Sequence, residues 1–220
     1  METADEVWVD GKNDRETYMQ LVQVHEKAKN FGEMSKAIDA AEALSATPDE
    51  KETIHFMRGA MLEKSKKFEL AEAEFRKLLT INPNSTSALN YLGYMLADRG
   101  TRLNEAVDMI KKALEQDPQN GAYLDSLGWA YYKQGNLPEA ELNLKRAQER
   151  TPKDATILDH LGDVYAKMGN LKAAIAQWEG SVKLHQSAPA FEQDPQETAK
   201  VQKKLDGARV RLAKEQQGKK

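Results

Sequence analysis

The sequence contains no cysteine. Disulfide staples and thiolate chemistry are excluded, while the compartment stays open, because exported proteins can also lack cysteine. No apolar run approaches the roughly 18 residues of a membrane span. The N-terminal METADEVWVDGKNDRE has neither a basic stretch nor an apolar core, so it does not read as a secretory signal. An excess of one charge is also missing: 32 Lys and Arg stand against 35 Asp and Glu, a net charge of −3. With an isoelectric point near 5.9, bulk electrostatics gives no reason to expect nucleic acid as a partner. Apolar residues are 40% of the 220 and charged residues 30%, with a mean hydropathy of −0.73. So polar a chain suits a thin array, in which each part buries a narrow stripe, better than one large core.

Catalytic groups are sparse as well. The four histidines, His25, His55, His160 and His185, are not paired at metal-ligand spacing. No glycine-rich phosphate loop follows a strand pattern; the GNL triplets at 135 and 169 fall between helical segments. No serine or threonine sits in a recognisable nucleophile context. Asp159, His160 and Asp163 share one helical segment and have the residue types of a carboxylate–histidine metal site. A solvated helix face accounts for them more simply. The sequence reads as a non-enzyme that needs no metal and no cofactor.

What is present is a period. Ala37, Ala71, Ala106, Ala140 and Ala174 recur at steps of 34, 35, 34 and 34 residues. Gly59, Gly93, Gly128 and Gly162 keep the same beat, as do Pro83, Pro118 and Pro152. With glycine as the eighth position, the units run 18–51, 52–85, 86–120, 121–154 and 155–188. Within 121–154, Leu124, Leu127, Gly128 and Tyr131 fall at helical spacing, as do Ala140, Leu144 and Ala147. Gly135-Asn136 breaks the unit, and Pro138 sits just inside a second helix, where its missing N–H is harmless. Each unit therefore reads as helix, turn, helix. Gly128 and Ala140 leave little side chain between two backbones, so the helices can approach closely. The third unit has one extra residue in its turn, within 100–104, and the first is the least regular, with His25 in place of the small residue.

This pattern resembles the tetratricopeptide repeat, a 34-residue helix–turn–helix unit. It covers about 170 of the 220 residues. The stretch DSLGWAYYKQG at 125–135 resembles repeats of bacterial members. The resemblance implies an all-α, right-handed superhelix, an α–α solenoid of five repeats. Departures from the pattern are His55 and Arg58, where apolar residues are usual, and Pro48, one place early. Residues 1–17 form an N-terminal extension, and 189–220 a linker and a C-terminal helix starting at Asp194-Pro195. Its stripe of Thr198, Val201, Leu205, Ala208 and Leu212 suits a cap on the last repeat. A partner-binding coiled-coil stripe is the other reading.

The functional expectation is a groove. On each first helix the fourth, seventh, eighth and eleventh positions form the packed face, and the second, fifth, ninth and twelfth fall opposite, with the sixth at the edge. In a tetratricopeptide array that opposite stripe lines the concave side. Here it places Asn90, Tyr91 and Tyr94, then Asp125, Trp129 and Tyr132, then Asp159, His160 and Asp163 on one wall. Exposed aromatics among polar residues resemble interface hot spots, although filling between neighbouring first helices is the competing reading. The acids would make the wall negative and favour a peptide with basic and apolar residues. The expected role is a protein-interaction scaffold. Alternatives are a structural segment of a longer array, self-association through the first repeat, or a regulatory array of a multidomain protein. The sequence as given points to a soluble, cytoplasmic chain without membrane insertion, or to an exported one if a signal lies upstream.

Overall fold

The computed structural model describes residues 14–189 and 193–217. Most of the N-terminal extension and the middle of the linker therefore lie outside the described residues. The rest is all-α. Its helices are α1 (Arg15–Lys27), α2 (Phe31–Ala43), α3 (Pro48–Lys64), α4 (Phe68–Ile81), α5 (Thr86–Asp98) and α6 (Leu103–Gln116). They continue as α7 (Gly121–Gln134), α8 (Leu137–Arg150), α9 (Ala155–Lys167), α10 (Leu171–Ser187) and α11 (Pro195–Gln217). Two compact units are formed, one up to Leu92 and one from Gly93, with the division inside α5.

Local chemistry explains the helix limits. Asp14, Asn120 and Asp154 accept hydrogen bonds from first-turn amides of α1, α7 and α9. These bonds satisfy donors that a helix start leaves open. Thr47 and Glu50 form a reciprocal capping box, with Pro48 at the first position of α3. That box starts α3 ahead of the boundary drawn at 52 and accounts for the early proline. The turns inside the hairpins reverse the chain through left-handed residues, Gly135 and Gly169 among them at φ 82° and 80°. Lys29 and Lys66 adopt the same region without glycine's freedom, at φ 53° and 61°. The longer turn between α5 and α6 uses two such residues, Gly100 and Arg102.

In the first unit, Leu21, Val22, Ile38, Ala41 and Ile54 are buried together. The two residues that broke the apolar pattern are paired there. His55 lies 2.8 Å from Glu74, and Arg58 donates to Asp39 and Glu42. In the second unit the interhelix contacts repeat with the period. A Cβ added at Gly128 would meet Leu144 Cγ at 2.6 Å and the Ala140 carbonyl at 3.1 Å. At Gly93 it would meet Ile110 Cγ1 at 2.7 Å and the Ala106 carbonyl at 3.0 Å. At Gly162 it would meet the Trp178 indole. The side chain four residues after each repeating alanine thus lies where glycine lacks one.

Beyond the repeats, α11 copies a first helix. Ile157, Leu161 and Val164 of α9 are buried with Ala140, Leu144 and Ala147 of α8. Val201, Leu205 and Ala208, each 44 residues further on, are buried with Leu171, Ala174 and Trp178 of α10. Leu158 and Gly162, which face α10, correspond to Gln202 and Asp206. These two hydrogen-bond to each other at 2.8 Å.

Leu144 is fully buried and cannot retreat. Gly128→Ala is therefore expected to destabilise the protein by about 1–3 kcal/mol, the usual scale of overpacking. Urea unfolding checks this, and an unchanged or raised midpoint would contradict the close crossing.

Candidate functional site

Each first helix brings its groove-side positions against the next first helix. In the second unit, Trp129 of α7 stacks on Tyr132 at 4.8 Å and on His160 of α9 at 4.1 Å. Its indole N–H donates to Asp98 Oδ1 of α5 at 3.1 Å. The Lys133 ammonium lies 4.9 Å from the Trp129 ring centroid and donates to the Asp98 carbonyl at 2.6 Å. One period later Lys167 repeats the carbonyl contact, 3.4 Å from the Tyr132 carbonyl, and its ammonium lies 4.5 Å from the centroid of the Tyr132 ring on the preceding first helix. Charge and π-face attract each other in such pairs, and Lys133 also satisfies a carbonyl at the C-terminal end of α5.

The acids are engaged as well. His160 Nδ1 lies 2.8 Å from Asp125 Oδ1, with both groups buried. Lys204 of α11 donates to both oxygens of Asp159 and to Asp163 Oδ2, each at 2.8 Å. The pairs are equivalent: Asp159 is one period after Asp125, and Lys204 stands at the α11 position corresponding to His160. Burial opposes the charge on Lys204, but its two carboxylates outweigh burial and raise its pKa. Burial lifts the Asp163 carboxyl above the ordinary range more than Lys204 lowers it.

Two expectations are corrected by this geometry. Trp129 is not an exposed anchor; it is 8% exposed, held between Asp98 of α5 and His160 of α9. The packing alternative holds for that ring. The wall is also not a free anionic surface, because His160 and Lys204 face its three acids. Asn90 and Tyr91 belong to the first unit. Tyr91 is half-buried against Phe75 and Phe56, with ring centroids 5.0 and 5.5 Å away, and donates to Glu63 at 3.4 Å. Burial and Glu63 together raise its pKa. The Asn90 amide oxygen is buried without a hydrogen-bond partner among the described residues. Tyr94, in the second unit, is half-buried. Among the described residues, no cluster of histidines and acids could hold a metal ion, and no helix is long and apolar enough to cross a membrane. Sequence reasoning passed over Asp98, Lys133, Lys167 and Lys204. The recurrence of Lys133 and Lys167 one period apart was the available signal.

Comparison with known proteins agrees with this architecture. A tetratricopeptide repeat model matches residues 65–121, and a TPR repeat model matches 128–169. A TPR repeat-containing protein of Pseudomonas aeruginosa is 38% identical over 117 residues. The chain carries tetratricopeptide repeats. That match covers 53% of this repeat protein, which spans about 20% of the length of the relative. Solved structures share the fold at low identity. PilW, a type IV pilus biogenesis factor, has a TM-score of 0.70 at 22% identity, covering 90% of this chain and 91% of that one. A thermophilic TPR protein of Thermus thermophilus has 0.70 at 16%, covering 89% and 99%. Yeast Tom70 has 0.68 at 18%, covering 95% of this chain and 42% of its own. These likenesses place the tetratricopeptide repeats in the α–α solenoid class.

Two outcomes follow from the network. Trp129→Ala removes a buried ring and a hydrogen bond, and should destabilise the protein by about 3 kcal/mol or more. Denaturant unfolding measures it, and near-neutral stability would return the ring to the surface. The second outcome is pH dependence. Burial works against a charged His160, but Asp125, with Asp159 and Asp163 nearby, outweighs it and raises the pKa. A raised folded-state value means the protonated ring favours folding. That stability is fully present below the ordinary histidine pKa and is lost as pH rises through the folded value. The melting midpoint should therefore fall over this rise in the wild type, and less in His160→Gln. Equal slopes would remove the ion pair from the account.

Proposed function

We propose that the chain is a non-catalytic scaffold, which holds a peptide or helix of a protein partner against the first helices of its repeats. Five repeats, over 18–51, 52–85, 86–120, 121–154 and 155–188, with α11 as a cap, are part of this reading. The observation that carries it is the Tyr132 ring. It is half-buried, stacked on a buried indole and placed under the Lys167 ammonium. A ring held on two sides loses little freedom when a partner covers the rest. Anchored aromatics of this kind commonly dominate binding energy.

Trp129 and His160 then serve as the bed beneath the contact. Asp159 and Asp163 are already engaged by Lys204 and are not free to bind a basic partner directly in this reading. Asn90, Tyr91 and Tyr94 extend the same stripe along α5 in this reading.

Panning a random peptide library against the purified chain tests the proposal. Peptides selected by the wild type should bind Tyr132→Ala about 2 kcal/mol more weakly, the scale of a hot-spot aromatic. Circular dichroism should show the variant folded. Peptides that bind the folded variant equally well would place recognition elsewhere.

A further inference from the structure

The groove-side stripe changes character at α11. The fifth position, Asp125 on α7 and Asp159 on α9, becomes Lys203. The ninth, Trp129 and then Asp163, becomes Gly207. A Cβ added at Gly207 would meet nothing within 4 Å. Where α7 carries an indole that closes the space between first helices, α11 carries no side chain. The result is a cleft of about 400 Å³ between α9, α10 and α11, bordered by Tyr132, Leu171 and Gly207.

Cations surround this opening. Lys167, Lys203, Lys204 and Arg211 line it, against the single acid Asp163. Lys204 is committed to Asp159 and Asp163, and Lys167 to Tyr132. Arg211 stands where Lys133 and Lys167 stand on the preceding helices, yet it makes no corresponding bond to a carbonyl among the described residues. Arg211 and Lys203 are exposed and have neither an ion pair nor a hydrogen bond among the described residues. A chain of net charge −3 thus gathers two uncommitted cations, an aromatic face and an apolar wall at one opening.

We infer that this cleft binds an acidic–apolar peptide segment, with side-chain carboxylates on Lys203 and Arg211 and an apolar side chain over Gly207 beside Tyr132. The inference rests on the reading of the chain as a peptide-binding scaffold and specifies the partner's chemistry at this end of the stripe. Opposite charge brings the segment in. Arginine offers a carboxylate two parallel N–H donors. The open space at Gly207 accepts a side chain without displacing one.

The probe is a fluorescein-labelled hexapeptide of alternating Glu and Leu with blocked termini, titrated by anisotropy. Gln–Leu and Lys–Leu versions serve as controls. The Glu–Leu peptide should bind the wild type most tightly, and more weakly as salt rises. Lys203→Glu with Arg211→Glu should weaken it about tenfold or more, a change of roughly 1.4 kcal/mol. Lys172→Glu with Lys183→Glu, the same charge change at exposed positions of α10, should leave it nearly unchanged. Gly207→Leu should block binding by filling the cleft, with a melting point at least equal to wild type, because glycine is a poor helix former. Three results would each overturn the inference: preference for the Lys–Leu peptide, equal loss in both charge pairs, or undiminished binding to Gly207→Leu. If it fails while library-selected peptides still depend on Tyr132, the scaffold reading stands without this cleft.

Discussion

The architecture depends on a side chain that is absent. At Gly93, Gly128 and Gly162 the space a Cβ would fill is occupied by Ile110, Leu144 and Trp178 of the following helix. At Gly59 it is occupied by the Phe75 ring. Each of these four hairpins therefore closes at short range, and its second helix is free to use a large residue as the wedge. The Trp178 indole N–H is buried without a hydrogen-bond partner among the described residues. Shape alone holds that ring in place, which makes the glycine beneath it indispensable to the packing.

Once a hairpin is closed, its first helix has two remaining faces. One meets the preceding second helix through Ile157, Leu161 and Val164, and again through Val201, Leu205 and Ala208. The other meets the neighbouring first helix through polar and aromatic contacts: Trp129 to Asp98, His160 to Asp125, Lys204 to Asp159 and Asp163. Isolated buried charges are costly, so these groups persist as pairs. The stripe read first as a recognition surface thus also joins successive repeats, as the packing alternative holds. What is left for a partner is its outer edge, where Tyr132 is half-exposed, and the opening at Gly207.

This division of labour explains what could be read beforehand. Contacts inside a repeat follow one helical period, so Gly128 with Ala140, the turn at Gly135, the extra turn residue near Gly100 and the apolar stripe of α11 were legible. Contacts between repeats combine residues about 35 positions apart with no local signature. The burial of Trp129 could not be told from exposure on a helical wheel, because the helix that covers it lies one repeat away. Lys204 was hidden for a second reason. The helix carrying it follows an insertion, so it sits 44 residues after its counterpart rather than 34. A search at the strict period passes over it, whereas aligning Val201, Leu205 and Ala208 with Ile157, Leu161 and Val164 recovers it.

The most direct test of the central claim is a double-mutant cycle at Gly162 and Trp178, followed by denaturant unfolding. Alanine at 162 should destabilise the wild type, since its methyl group has no place beneath the indole. In the Trp178→Ala background the same substitution should become neutral or stabilising, because the wedge is gone and alanine favours helix over glycine by about 1 kcal/mol. The two changes would then be coupled, as expected for residues in contact. If their effects simply add, the glycine crossing does not organise the hairpin and the account fails.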